Sequence, residues 1–391
     1  MISVPEAKRI LQNIPLNKRS QLIPLSESEG LFLGDEVRSL MDVPSFDNSA
    51  MDGYAFIWEE GLKELEIIGE SAAGGDYSQQ IKNGQCIRIF TGAPMPEGAD
   101  SVIMQEKVEK NGAKINFNPE DVIQGQHVRY QGSQCKKGDL VAQAGAKITP
   151  GLISLMASVG VGEIPVFQPP KVSILITGNE IKNLGEILTR GQIYNANGPA
   201  LDIWLKSQGI REIQHWQVRD EKKAVQDIIS KALAQSDLVL ITGGISVGDY
   251  DFVKEALEFL QVEPLFYKVK QRPGKPLYAG MKKEKLVFAL PGNPASVLSC
   301  FLNYVKPVIE SWKGNSKAWD SFVELPVSDD FEKPIPLTQF LKANVEDGKI
   351  HILSGQESFN LISFGTADGF AEIPEETTFI KAGQTIKFYP W

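Results

Sequence analysis

The stretch TGGISVGDYDF, Thr242 to Phe252, follows directly on the apolar run DLVLI and combines three glycines, a serine and two carboxylates. Glycine lets backbone N–H groups come close to a ligand and adopts positive φ without strain. A loop of this kind ahead of a helix cradles an anion. Gly243, Gly244 and Gly248 would supply bare backbone, and Ser246 a hydroxyl donor. Asp249 and Asp251 would repel a naked phosphate, so their presence points to a hard cation such as Mg2+ held by oxygen ligands. Asp251 also suits the N-cap of a helix that begins at Phe252.

Other apolar runs end in comparable chemistry. After KVSILIT stand Gly178, Asn179 and Glu180; after REIQHWQV, Arg219 and Asp220; after PLFYKV, the turn QRPGKP with Arg272 and Lys275; after KLVFAL, PGNP with Pro291, Asn293 and Pro294. In an open parallel sheet, ligands bind beyond the carboxyl ends of the strands. Five strand ends carrying turn residues and small or charged polar groups therefore converge on one crevice. Glu180 and Asp220 extend the acidic set. Lys268, Lys270, Arg272 and Lys275 form a basic set, the first three sharing one face if the strand continues through them. A solvated charged face is the ordinary reading of such a run; the stiff RPGKP turn favours oxyanion binding. Asn293 suits an N-cap and Pro294 the first helical position, which turns a helix N-terminus toward the crevice.

These positions need a scaffold. From Lys171 the chain alternates apolar strand runs with helix patterns: PALDIWLKSQG, EKKAVQDIISKALAQ, DFVKEALEFL and PASVLSCFLNYV. That alternation predicts a doubly wound parallel α/β domain over residues 169–314. Residues 41–137 carry short β runs (YAFIW, LEIIG, CIRIF, SVIMQ) between Gly, Asn and Pro, which predicts an inserted, antiparallel β-rich domain. Residues 1–40, helical at the start, and 138–168, of mixed character, make a linking domain. Residues 315–391 return to short β runs and predict a small β-barrel or sandwich.

With 391 residues the chain is long enough for two to four domains. Its net charge of −9 argues against non-specific nucleic-acid binding but leaves room for a local basic site. Cys86, Cys135 and Cys300 form no CxxC pair, so neither a disulfide framework nor a zinc site is expected. No basic region followed by an apolar stretch opens the chain and no apolar run approaches a membrane span. A cytoplasmic protein without membrane or nucleic-acid partners is the expectation.

Six motifs stand in register: DVPSFDNSAMDGYA, RIFTGAPMPEGADSVIMQE, ITGNE, TGGISVGDYD, RPGKP and LPGNPAS. Together they resemble the molybdopterin molybdenumtransferase family, bacterial MoeA and the E domain of gephyrin and plant Cnx proteins, from about residue 5 to the last residue. The resemblance implies insertion of molybdenum into adenylylated molybdopterin with Mg2+ and release of AMP, the last step of molybdenum cofactor synthesis. It implies four domains, the α/β one of molybdopterin-binding type, and a homodimer whose cleft lies between that domain of one chain and the β insert of the other. A delivering molybdopterin adenylyltransferase is a further expected partner. Glu180, Asp220, Asp251, Lys268, Arg272 and Lys275 match catalytic positions, and Glu180, Asp220, Asp249 and Asp251 the metal set. Thr177, Gly178, Gly243, Gly244, Ser246, Gly248, Pro291, Asn293 and Pro294 match the substrate-binding surface, as do Asp47, Ser49, Asp52, Thr91 and Gly92 of the insert in trans. Lys275, Lys342 and Ser363 match molybdate positions. Departures are Arg272 for a frequent lysine, Lys342 for an arginine, and neutral Gln134, Asn179 and Asn195 where the family often has acids. Amides keep hydrogen-bonding capacity but hold a divalent cation less tightly. Two other readings share the motifs: a molybdopterin adenylyltransferase, usually a short single domain, and a non-catalytic scaffold of the gephyrin E type.

Overall fold

A computed structural model describes residues 1–75, 80–245 and 252–391. It divides into two compact units, Met1–Ser20 with Phe167–Trp391, and Gln21–Val166.

The first unit is built on a six-stranded sheet. Its order is Ile213–Val218, Val172–Thr177, Leu238–Thr242, Lys285–Leu290, Tyr278–Lys282, Glu263–Tyr267. The first four strands are mutually parallel, as the apolar runs predict. The strand at Tyr278–Lys282 runs antiparallel to both neighbours and has no signal in the sequence, because YAGMK is short and lacks an apolar run. Alternate residues of the central strands serve different cores. Val172, Ile174, Leu238 and Leu240 pack under the helices Asn197–Ser207 and Pro294–Cys300, whereas Leu175, Val239 and Ile241 pack under Lys222–Gln235 and Phe252–Phe259. Helices on both faces make the domain doubly wound.

The opening helix Val4–Gln12 belongs to this unit. Ser3 caps it by accepting from the Glu6 N–H, and Val4, Ala7 and Leu11 enter the same core as Val172 and Leu238. An isolated nine-residue helix is marginal in water. Burying Val4 and Leu11, at about 1.5–3 kcal/mol each, explains why it forms here. Residues 21–40 and 138–166 do share a core, Leu25, Leu33 and Val37 with Ile148, Met156 and Ile164, but the first twenty residues lie outside it.

After a π-helical segment, Phe301–Val305, and the helix Lys306–Trp312, the chain forms the C-terminal β structure. Strands Lys349–Ile352, Thr338–Glu346, Gly369–Ile373, Thr385–Pro390 and Val323–Pro326 pair in that order. A bridge from Val327 to Ile350 joins the last to the first and closes a small barrel around Leu341, Ala343, Ala371, Ile373 and Phe388.

In the second unit the insert is a six-stranded sheet in the order Ser101–Met104, Gly53–Phe56, Gln85–Ile89, Glu64–Ser71, Lys114–Phe117, Val108–Asn111. It is antiparallel as predicted except for Glu64–Ser71 against Gln85–Ile89, which run parallel. No helix among the described residues is long and apolar enough to cross a membrane.

Candidate functional site

The chain passes from Val172–Thr177 to one side of the sheet, then returns on the other side at Leu238–Thr242. Their carboxyl ends are neighbours, with Ile176 opposite Thr242, so the glycines just past them flank the topological switch point. Gly243 and Gly244 have φ of 84° and 61°. A Cβ on Gly243 would lie 2.5 Å from the Thr177 carbonyl oxygen, and one on Gly244 2.6 Å from Val253 Cγ2. These glycines are therefore demanded by the neighbouring strand and helix as well as by any ligand. The buried Thr177 hydroxyl at this wall makes no hydrogen bond of normal geometry among the described residues.

A cleft of about 690 Å³ opens here, walled by Thr177, Glu180, Gly243, Gly244, Arg272 and Lys275 and by Pro291, Asn293 and Pro294. Burial and the negative charge of Glu180 raise the pKa of Asp220, against the pull of the Asn179 N–H and the Thr177 hydroxyl. The charge of Glu180 thus reaches Asp220 from the adjacent strand end, but only Glu180 lines the cleft; Asp220 and Gly178 do not. Among the described residues no cluster of three potential metal-ligating side chains occurs. Asp249 and Asp251, expected to complete the set, lie outside the described residues, as do Ser246 and Gly248. Asn179 Oδ1 accepts from the Asp220 N–H at 3.3 Å and Asn195 Oδ1 from the Gly198 N–H at 2.8 Å. Both amides hold backbone that a carboxylate would hold equally well.

The basic residues separate sharply. The strand expected to run through Lys268 stops at Tyr267, and Lys268, at φ 65°, turns the chain and sets its ammonium over the Tyr267 ring. Lys268 does not line the cleft, and Lys270 pairs with Glu375 at 2.9 Å. Arg272 and Lys275 are exposed on the cleft wall, and among the described residues no hydrogen bond or ion pair engages either side chain. The turn between them is held from behind. Gln271 is 1% exposed; its Nε2 donates to the Gly274 carbonyl at 3.0 Å and its Oε1 accepts from the Tyr304 hydroxyl. Gly274, at φ 89°, leaves no room for a Cβ, which would meet Cys300 Sγ at 2.6 Å and Gln271 Nε2 at 2.8 Å. The π-helical segment carries Tyr304 to this point. Burial raises the pKa of Tyr304 well above the usual phenol value, so it donates as a neutral hydroxyl.

Asn293 stands at the N-cap of Pro294–Cys300, but its side chain makes no cap. Its Nδ2 instead donates to Ser358 Oγ at 3.0 Å, on a loop of the barrel. Lys342 and Ser363 do not line the cleft. Lys342 is 2% exposed and donates to the Gly355 and Asn360 carbonyls at 2.6 and 2.8 Å, and the Ser363 hydroxyl donates to Gly355 at 3.2 Å.

In the second unit the two motifs of the insert meet. Asp52 Oδ1 accepts from the N–H and the hydroxyl of Thr91, both at 2.8 Å, which lowers its pKa. Gly92 N–H donates to the Ser49 carbonyl at 2.8 Å. Asp47 is exposed and accepts from the Gln131 N–H at 2.6 Å. Ser49 is buried and its hydroxyl donates to Met51, so it serves the turn. Sequence reasoning missed Gln271, Tyr304, Gln356 and Ser358. Neutral side chains in no recognisable spacing gave no signal for them.

Residues 2–160 match the MoeA N-terminal region (domain I and II), 173–311 a probable molybdopterin binding domain, and 324–391 the MoeA C-terminal region (domain IV). The chain is 33% identical to the molybdopterin molybdenumtransferase of Nostoc sp. over 99% of its length and 93% of the relative's. It is 32% identical to that of Haemophilus influenzae over 100% and 99%. The crystal structure of the molybdopterin biosynthesis MoeA protein of Pyrococcus horikosii superimposes with a TM-score of 0.83 at 29% identity, covering 100% of this chain and 99% of that one. With its switch-point cleft and this likeness along its whole length, the chain belongs to the molybdopterin molybdenumtransferase family.

Proposed function

We infer that the chain inserts molybdenum into adenylylated molybdopterin with release of AMP, the final step of molybdenum cofactor biosynthesis. The observation that carries this reading is the meeting of two cations, Arg272 and Lys275, unengaged among the described residues, with glycine backbone and an acidic strand end in one cleft at the switch point. Arg272 and Lys275 place positive charge where phosphate or molybdate oxygens would sit, and the guanidinium offers a planar fork that a lysine lacks. Thr177 supplies a buried hydroxyl at the same wall, beside Asp220. Glu180 and Asp220, with Asp249 and Asp251, would hold Mg2+. When bound, that ion neutralises phosphate charge and polarises the phosphoryl group. Burial and the charge of Glu180 raise the pKa of Asp220, and a bound cation would favour its ionised form.

The proposed working form is a cytoplasmic homodimer in which Asp47, Asp52, Thr91 and Gly92 of the partner's insert complete the substrate surface, supplied by an adenylyltransferase. The two hydrogen bonds that join Asp52 to Thr91, 39 residues away, support a shared role. An adenylyltransferase or a pure scaffold is less favoured, since neither calls for the insert, the barrel and the unengaged cations together.

The test is AMP release from adenylylated molybdopterin with Mg2+, with and without molybdate. Molybdate-dependent release with molybdenum retained on the pterin is the expected result. Tight substrate binding with no release would move the reading to a carrier.

A further inference from the structure

The loop from Leu353 to Phe364 leaves the barrel and brings Gln356 and Ser358 to the cleft wall. Its tie to the barrel is a buried ammonium. Lys342, in the strand Thr338–Glu346, reaches the carbonyls of Gly355 and Asn360, which bracket the loop tip. Its remaining side is over the Phe364 ring, 5.2 Å from the centroid. An ammonium has three donors; two go to carbonyls and the third faces a π cloud. That leaves none for an oxyanion. The Lys342 backbone is tied to the same loop: its N–H donates to Gln356 Oε1 at 3.0 Å and its carbonyl accepts from Gln356 Nε2 at 2.8 Å. At the tip, Ser358 Oγ accepts from Asn293 Nδ2. A hydroxyl oxygen that accepts in this way keeps its own hydrogen to donate.

We propose that Lys342 is a positioning residue that clasps this loop, and that the Ser358 hydroxyl, oriented by Asn293, donates to a tetrahedral oxyanion in the cleft. The proposal rests on the functional reading above and replaces the expectation that Lys342 touches molybdate. The oxyanion is either molybdate or the phosphate of the adenylyl group, and the kinetics separate the two.

The experiment uses the full chain and compares wild type with Lys342→Met, Lys342→Arg, Ser358→Ala and the Lys342→Met/Ser358→Ala double variant. AMP release is titrated against each substrate. Lys342→Met and Ser358→Ala should each raise one KM by about tenfold or more, the size of a lost hydrogen bond to a charged group. A change in the molybdate KM assigns the oxyanion to molybdate, and a change in the other assigns it to phosphate. Lys342→Arg should restore most of the affinity, and the double variant should be no worse than the worse single one. Additive effects, failure of arginine to rescue, or two unmoved KM values would overturn the proposal. Backbone hydrogen exchange over residues 354–361 needs no turnover: it should speed up in Lys342→Met, and unchanged exchange would refute the clasp even if wild type released no AMP. That last result would count against the functional reading alone. Should Lys342→Met not fold, Ser363→Ala removes one donor from the same Gly355 carbonyl and should loosen the loop to a lesser degree; no change there would also refute the clasp.

Discussion

The turn Gln271–Pro276 and the loop Leu353–Phe364 both bring polar groups to one cleft, but they place their cations in opposite ways. On the turn, Arg272 and Lys275 are exposed and unengaged among the described residues, while the structural work behind them is done by neutral groups, Gln271, Tyr304 and Gly274. On the barrel side the neutral groups Gln356 and Ser358 face the cleft, and buried lysines do the holding. Lys342 binds Gly355 and Asn360, and Lys333, also 2% exposed, donates to the Leu337 and Glu375 carbonyls at 3.0 Å. Burial lowers the pKa of both lysines, with nearby glutamates opposing that shift. A cation can act on a ligand or on its own backbone, and the number of its donors already taken decides which. Charge alone does not separate the two roles.

Four outcomes would break or sharpen that contrast. The largest concerns the unengaged cations: Lys275→Ala should lower kcat/KM by about 10²–10³, the range for loss of one oxyanion donor, with little change in melting temperature. A large loss of stability there would mean that Lys275 is structural after all. Gly274→Ala should cost about 2–3 kcal/mol of stability in denaturant unfolding, because a positive φ and two contacts under 3 Å oppose any Cβ. Tyr304→Phe leaves Gln271 Oε1 buried without its donor, which costs about 1–3 kcal/mol. The turn should loosen with it, so turnover should fall while the barrel loop keeps its hydrogen-exchange protection.

The smallest effect serves as a control away from the cleft. Asp237 precedes the strand Leu238–Thr242, at the end opposite the cleft. It accepts from the Lys171 N–H at 3.0 Å and pairs with Lys285 at 3.1 Å and with Arg19. Burial raises its pKa, but these partners outweigh that and the net shift is downward. A carboxyl whose folded pKa lies below the unfolded one stabilises fully above the unfolded value of about 3.9. That stability is lost as pH falls through the folded value. Asp237→Asn should therefore cost about 1 kcal/mol at neutral pH, flatten the acid limb of the stability curve, and leave turnover unchanged. A turnover defect would show that the two ends of the sheet are coupled.

The comparison also marks how far the chain could be read before folding. Val172–Thr177, Leu238–Thr242 and Lys285–Leu290 were legible because a strand buried on both faces must be apolar throughout. Residues just past the carboxyl end of such a strand lie at the crevice by topology. Thr177, Glu180, Gly243 and Gly244 could therefore be placed at the cleft without coordinates. Gly209 at φ 78° ends its helix as its position predicts. The antiparallel strand Tyr278–Lys282 was not legible, since a short, polar-interrupted strand is identified mainly by its neighbours.

Sequence by itself thus determined most of the elements, the switch point and the family, because backbone preference and hydrophobic period are local and the motifs are ordered along the chain. Only the tertiary structure decided the work of each charged or polar side chain. Lys275, in RPGKP, and Lys342, in TQFLKANV, are the same residue type. One is open to the cleft, while the other is closed by carbonyls 13 and 18 residues away. The Tyr304–Gln271 bond spans 33 residues and joins groups with no common spacing. Hydrogen-bond partnership at such separations depends on where the packed elements bring the atoms, and that is set by the fold as a whole.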